Sequence, residues 1–495
     1  MTRLDRPVSA PMMPRPHQVA ASHAILAARQ AGRKGFLLGD MTGLGKTLSV
    51  WSALAAMSEP EVLIVCPKGA MPQWRHTIAR AGLAPKSVTL LNYERTKSLM
   101  AAPAASTRRS TRAKNNELAK HGALKRAWPL VVFDESHRLR NPYAQQSLVC
   151  RHLADEAAFT VYMSATAGQE PHELSYLGDL LGESVGMPTT SLAEFRLLMQ
   201  HLKIGRAKGR WVNWSWQSNA RDCAVMAELL YTGPRAIGLR RRPGDIAGWP
   251  EVQRELVPTA LGRDERRLYD ATWREFRKEW GLAGGSTRRP AGWAADLRFR
   301  QKASLIRVAG SADFAELLLD DGQQVAVSVA FLETGAALVA AFETRGWRAG
   351  AIDGTRPAEA NEATRLAFQR GELDVVVFTV TESISLHSQE HEGGERPRSL
   401  VIHDLRHSAI QLAQIEGRCH RDGQAATVFY AFAEDTVEEA IGSTVMRRMS
   451  AMEAMAGEDT AMLDAIVACL DDEITADQGL TAGVSIGSGA ARLIK

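Results

Sequence analysis

The stretch Asp40-Met41-Thr42-Gly43-Leu44-Gly45-Lys46-Thr47 lies between the apolar run Gly35-Phe36-Leu37-Leu38 and a segment of helical character, Leu48–Met57. A strand that passes through a glycine-containing loop into a helix lets backbone N–H groups curl around phosphate oxygens, with the positive end of the helix aimed at them. In such a loop Thr42, Gly43, Leu44 and Gly45 form the cradle. Lys46 reaches the β- and γ-phosphates, and Thr47 ligates Mg2+. The generic pattern has glycine six residues before the lysine, and Asp40 stands there instead.

Working outward, Val62–Cys66, Leu130–Phe133 and Thr160–Met163 are also short apolar runs. They are continuous rather than alternating, as strands covered on both faces must be, and helical segments separate them. This is the pattern of a parallel α/β sheet. It weakens after about residue 190 and restarts near 323. There Gln323–Ala330, Trp347–Ile352, Val375–Thr379, Leu400–Ile402 and Thr427–Tyr430 read as strands and Glu359–Gln369 as a helix. Between the two units, Gly262–Gly281 has helical spacing of Leu268, Trp273, Phe276 and Trp280. Residues 434–470 read as helical, and the Gly/Ser/Ala-rich end beyond about 472 reads as a loose tail.

Two further segments carry chemistry. Leu130-Val131-Val132-Phe133 runs into Asp134-Glu135-Ser136-His137, which puts two carboxylates at the carboxyl edge of a sheet, where ligands bind in such folds. Asp134 would hold Mg2+ and Glu135 would polarise an attacking water. In Gln414-Ile415-Glu416-Gly417-Arg418-Cys419-His420-Arg421-Asp422-Gly423-Gln424, the spacing predicts that Arg418 and Arg421 share one helix face. Two guanidiniums there suit a transferring γ-phosphoryl group, as arginine fingers supplied in cis.

Composition narrows the class. With 495 residues, 45% hydrophobic and 23% charged, the chain is neither a disordered, a collagenous nor a disulfide scaffold. A net charge of +4 makes any polyanion-binding surface a local patch. Five scattered cysteines without a C-x-x-C pair argue against zinc and suit a reducing cytosol. No run of about 18 apolar residues is present to span a membrane, and the opening residues lack the apolar stretch of a signal peptide. Two stretches, 103–126 and 203–221, are locally basic. Each reads either as a solvated surface or as phosphate contact, and Trp211, Trp214 and Trp216 read as packing anchors or base-stacking platforms.

The three pieces, in this order, resemble the core of superfamily-two helicases and, within it, the Swi/Snf-type DNA translocases. The family's phosphate loop reads D-E-M-G-L-G-K-T, against DMTGLGKT here. Its acidic box is D-E-A-H, against DESH, and QIEGRCHRDGQ matches every fixed position of its sixth motif. Arg15-Pro16-His17-Gln18 resembles the adenine-reading segment, with Gln18 as reader. Gln73-Trp74, Asn92-Tyr93-Glu94 and Ser164-Ala165-Thr166 resemble motifs Ia, Ib and III, and Leu239-Arg240-Arg241-Arg242 resembles the start of the family's second half. The family's motif V is glycine-rich, and the matching stretch Thr379–His387 has no glycine. Ser-Ala-Thr also replaces the Gly-Thr-Pro of the Swi/Snf branch, as in strand-separating relatives. The segment from His387 to Arg398 has some likeness to the strawberry-notch-type branch.

The resemblance implies an α/β fold of two tandem RecA-like lobes, each a parallel sheet covered by helices, with helical insertions between them. The expected boundaries are 1–238 for the first lobe, 239–320 for an Arg/Trp-rich helical linker or protrusion, 321–447 for the second lobe, and 448–495 for a carboxyl-terminal helix and tail. It implies ATP and Mg2+ in the cleft and duplex DNA held by its phosphates. An accessory protein would supply targeting, in a prokaryotic or viral-host cytoplasm, with a nuclear site left open. A strand-separating DNA or RNA helicase and a non-motor ATP-dependent clamp are the alternatives.

Overall fold

The computed structural model describes residues 12–81, 87–101, 119, 122–165, 167–168, 171–204, 207–208, 213–214, 220–249, 252–282, 290–379, 384–387, 396–406, 409–419 and 426–439. Arg421, Thr166, residues 380–383, most of both basic stretches and everything past 439 lie outside the described residues, the expected carboxyl-terminal helix and tail among them.

The apolar runs become β1 (Gly35–Leu38), β2 (Glu61–Cys66), β4 (Leu130–Asp134) and β5 (Phe159–Met163), with β3 (Ser87–Asn92) at one edge. β6 (Ala207–Lys208) and β7 (Asn213–Trp214) form a separate antiparallel pair, and β8 (Gly238–Leu239) closes the other edge. The sheet is parallel in the order β3-β2-β4-β5-β1-β8. Its register aligns Leu38 with Met163 and Met163 with Asp134. The residues that follow these three, Gly39, Ser164 and Glu135, therefore emerge side by side at the carboxyl edge. Two apolar layers cover the faces. One is built on Trp51, Leu54 and Trp74, the other on Tyr93, Leu153, Leu180 and Leu198.

The second sheet is also parallel, in the order β11-β12-β10-β13-β14-β9. Its strands are β9 (Gln253–Thr259), β10 (Gln324–Ser328), β11 (Ala349–Ile352), β12 (Val375–Phe378), β13 (Arg398–Ile402) and β14 (Thr427–Ala433). Two parallel sheets clothed in helices make two tandem RecA-like lobes.

Of the segment expected as a linker, 239–320, Leu239–Arg241 stay with the first sheet, and the part from β9 onward is built into the second lobe. β9 pairs along its whole length with β14. The helices Arg263–Leu282 and Pro290–Ile306 pack Tyr269, Phe276, Trp280 and Phe299 into the same apolar cluster as Ala326, Val376 and Leu400 of the sheet. Within the first of these helices, Tyr269 takes the buried place expected for Leu268, which is 57% exposed. A helix advances about 100° per residue, and Tyr269 lies seven residues before Phe276, on the same face.

At the carboxyl end of β13 the core turns polar. The Arg307 guanidinium donates to Asp404 Oδ1 at 2.9 Å, and Asp404 Oδ2 accepts from Ser304 Oγ and from the Ala330 N–H. His403 is fully buried. Its Nε2 faces the Ser304 carbonyl at 2.9 Å, so Nε2 carries the proton and Nδ1 accepts from Ser311 Oγ. Burial, offset in part by Asp404 and reinforced by Arg307, lowers the imidazole from 6.5 to about 4. Between those values the unfolded chain takes up a proton that the folded chain refuses. His403 therefore stabilises the fold above about pH 6.5, and that contribution is lost as pH falls towards 4, by up to about 3 kcal/mol. Urea unfolding from pH 7 to pH 4 should show a steeper loss for the natural chain than for His403→Gln; equal slopes would remove His403 as the cause.

Candidate nucleotide site

The loop after β1 owes its shape to two glycines. Gly43 and Gly45 adopt φ of 93° and 75°, a region in which a side chain is strained, so successive N–H groups turn inward. The helix Lys46–Ala56 begins at once, with no side chain capping its first turn. The positive end of the helix therefore faces the loop, as an anion site requires. Lys46 Nζ donates to the Asp40 carbonyl at 2.7 Å, across the mouth of the loop, and Thr47 is the second helical residue. Leu44 is fully buried, and its carbonyl accepts from Gln18 Nε2 at 3.3 Å and lies 3.0 Å from His17 Nε2. The Gln18 carbonyl in turn accepts from the Arg15 N–H at 2.8 Å. Both ends of the Gln18 amide are thus engaged within the protein, where it braces the phosphate loop from beneath.

Asp40 explains the missing glycine. Its carboxylate is completely buried and pairs with Arg241, whose N–H and Nε both reach Oδ1, at 3.0 and 3.1 Å, while Nη2 bonds Oδ2. Arg241 also donates to the His17 carbonyl. The backbone repeats the attachment, since Gly39 N–H bonds Leu239 O at 2.7 Å and Met41 N–H bonds Arg241 O at 3.0 Å. The chain leaving the first lobe is therefore zipped to the phosphate loop. Sequence reading noted Asp40 only as a departure and Arg241 only as a landmark. The available signal was an acid directly after a fully apolar strand, which must find a partner or stay out of the core.

The acidic pair lies on the neighbouring rows of the sheet. Asp134 ends β4, and its Oδ2 accepts from Trp74 Nε1 at 2.8 Å while its carbonyl accepts from Tyr93 Oη at 2.8 Å. Trp74 and Tyr93, known from the sequence only as parts of lesser motifs, are its struts. Glu135 is held at φ 53°, an uncommon conformation for a side-chain-bearing residue, which turns its carboxylate away from the strand. His137 Nδ1 lies 3.3 Å from Glu135 Oε2 and 3.0 Å from Ser164 Oγ, so the end of β5 is tied to the acidic turn.

Burial and the adjacent Glu135 charge push the Asp134 carboxyl up to about 6. Burial acts on Glu135 in the same direction, but His137, Lys46 and Arg418 outweigh it and hold Glu135 low, at about 2. A buried and a half-buried carboxylate that crowd each other in this way, beside the hydroxyl-bearing first turn of Lys46–Ala56, fit a hard divalent cation of the Mg2+ kind.

Arg418 belongs to the second lobe yet acts electrostatically on Glu135 of the first. The helix Ala409–Glu416 ends before it, and Arg418 sits in the following turn, its N–H on the Ile415 carbonyl at 3.0 Å. The expected shared helix face with Arg421 is therefore corrected for Arg418, because Gly417 ends the helix; Arg421 lies outside the described residues. The helix is fixed by Glu416, which takes both Nε and Nη2 of Arg254 on β9 and the hydroxyl of Tyr430 on β14.

Residues 11–169 match the family described as "Type III restriction enzyme, res subunit". Over 452 residues the chain is 22% identical to the SWI/SNF-related matrix-associated actin-dependent regulator of chromatin subfamily A-like protein 1 homolog of Caenorhabditis elegans, covering 86% of this chain and 60% of that one. The chain thus spans less than two thirds of that relative's length. Among solved structures, the Sulfolobus solfataricus SWI2/SNF2 ATPase core in complex with dsDNA is similar at 16% identity and a TM-score of 0.37, covering 96% of this chain and 98% of that one. The Pyrococcus furiosus Hef helicase domain is similar at 14% identity and a TM-score of 0.45, covering 87% and 99%. The family match spans the part of the chain that holds the phosphate loop and the acidic turn, and with the relative it supports a helicase-like ATPase with Swi/Snf-like features. Among the described residues no helix is long and apolar enough to cross a membrane.

Removing Arg241 leaves Asp40 charged in the core. Arg241→Ala should cost about 3–5 kcal/mol in urea unfolding, and adding Asp40→Asn should recover part of the loss. A single variant as stable as the natural chain would show that the pair does not anchor the loop.

Proposed function

We propose that the chain is an ATP-driven motor that moves along duplex DNA and remodels DNA or displaces what is bound to it. The observation that carries the reading is a charge cluster drawn from both lobes: Lys46, Asp134 and Glu135 at one sheet edge, with Arg418 of the other lobe acting on Glu135. Lys46 would hold the β- and γ-phosphates against the N–H groups of Thr42–Thr47. Thr47 and Asp134 would hold Mg2+, which neutralises phosphate charge as it develops. Glu135 orients the attacking water and takes its proton, and the His137–Ser164 contact keeps that carboxylate in place. Arg418, with Arg421, stabilises the charge of the transferring group. A γ-phosphate contacted from both lobes favours closure, and its loss favours opening, so each turnover changes the angle between the lobes.

Duplex DNA is favoured by the sixth motif and by the relation to Swi/Snf-type proteins. Contacts to backbone phosphates make binding salt-sensitive and largely independent of sequence. Gln18 serves as the adenine reader in this scheme only once the base draws its amide from the loop. A strand-separating helicase is the second reading, favoured by Ser164-Ala165-Thr166, whose serine is bonded to the acidic turn as described.

Hydrolysis by the purified chain should rise with duplex DNA more than with single-stranded DNA or RNA, and the stimulation should fall steeply with salt. Stimulation by single strands alone, with release of a labelled strand, would favour the helicase. Glu135→Gln should bind nucleotide and turn it over very slowly, and Arg418→Ala should lower kcat by roughly 10³. An Arg418→Ala enzyme with normal kcat would show that the second lobe does not complete the site.

A further inference from the structure

Arg398 opens β13 and is 3% exposed, its guanidinium stacked on Phe368 at 4.7 Å. Its Nη1 donates to the Leu386 carbonyl at 2.7 Å, to the His387 carbonyl and to Gln369 Oε1 at 2.7 Å, while Nε donates to Gln324 Oε1 at 3.2 Å. Gln369 then passes its own Nε2 to the Ser385 carbonyl at 2.8 Å, and Arg365 Nη1 reaches the same oxygen at 3.3 Å. Three successive carbonyls, 385 to 387, are thus held by buried donors. The other side of the same four residues is held by Arg418. The Leu386 N–H donates to the Arg418 carbonyl at 2.8 Å, and Arg418 Nη1 donates to the Ile384 carbonyl at 3.1 Å. Residues 384–387 are a short backbone bridge with Arg398 on one bank and Arg418 on the other.

We infer that Arg398 is a positioning residue for Arg418, acting through the backbone of residues 384–387. The inference rests on the ATPase reading of the cleft. Arg418 acts on Glu135 from a turn rather than from a helix, so its placement depends on what it and its turn are bonded to. The bridge supplies two of those bonds, and the bridge is itself placed by the guanidinium fork of Arg398. A fork presents rigid, planar donors to several carbonyls at once, which a lysine ammonium does not reproduce. Displacing a reacting group by about 1 Å can cost on the order of 10²-fold in rate. The glycine-poor stretch 384–387 therefore takes its position from the donors that grip it.

The test uses the full chain with Arg398→Lys, Arg418→Ala and the double variant, measuring kcat and KM for ATP with duplex DNA, affinity for a fluorescent ATP analogue, and thermal unfolding. Arg398→Lys should keep nucleotide affinity and KM within about threefold while kcat falls by roughly 10- to 100-fold. In the Arg418→Ala background the same change should lower kcat by less than about threefold, since residues acting as one unit are not additive. A folded Arg398→Lys enzyme with normal kcat overturns the inference, as does a double variant in which the two losses multiply. Where Arg398→Lys does not fold, Gln369→Glu carries the test. It puts an acceptor against the Ser385 carbonyl and should lower kcat about 10-fold, again only while Arg418 is present. A natural chain that does not hydrolyse ATP, or an unaffected Arg418→Ala enzyme, instead overturns the ATPase reading itself.

Discussion

The parallel register of the first sheet is the constraint on which the candidate site depends. Because Leu38, Met163 and Asp134 stand in one row, the next residue of each strand leaves the sheet at the same edge. Strands lie about 4.8 Å apart, so the phosphate loop and the acidic turn open roughly 10 Å from each other with Ser164 between them. That distance suits a loop that holds phosphates and a pair of carboxylates that serves the far side of the last phosphate. A slip of one residue in β4 would turn Asp134 to the opposite face, and no local adjustment would restore it.

The second lobe solves a different problem, which is to hold cations where they are costly. Arg307 is paired with Asp404 and Glu438, Arg254 with Glu416, and Arg398 is surrounded by carbonyl and amide oxygens. These groups sit among strands whose apolar residues supply the burial. They convert what would be a featureless core into one with specified directions.

Much of this was legible in the residues. Four strands of the first sheet and five of the second followed from continuous apolar runs, because a strand covered on both faces has no polar alternation to obscure it. The strands that escaped notice are edges. Ser87–Asn92 is only half-buried, Gly238–Leu239 is two residues long, and Gln253–Thr259 carries Arg254, Glu255 and Pro258, which only an edge tolerates. The loop, the acidic turn and Arg418 stand out in the sequence because phosphate chemistry restricts residue type at fixed spacing. Their supports were not. Arg241 lies 201 positions from Asp40 and Trp74 lies 60 from Asp134, and nothing in local spacing announces a partner that only the fold brings near. The end of the helix before Arg418 was misread because periodicity carries no marker for where a helix stops, apart from Gly417.

The zipper between residues 238–241 and the phosphate loop gives the molecule a mechanical grain. β8 runs parallel to β1, so a pull on the chain leading to the second lobe loads its hydrogen bonds and the Asp40–Arg241 pair together, along the strand, rather than peeling them one at a time. The first elements to feel that tension are Gly39, Asp40 and Met41, whose carbonyls include the one that holds Lys46. Strain on that connection therefore reaches the glycine loop before it reaches the apolar layers behind it. Under the proposed function, a site wired in this way would feel the load between the lobes as directly as it feels its nucleotide.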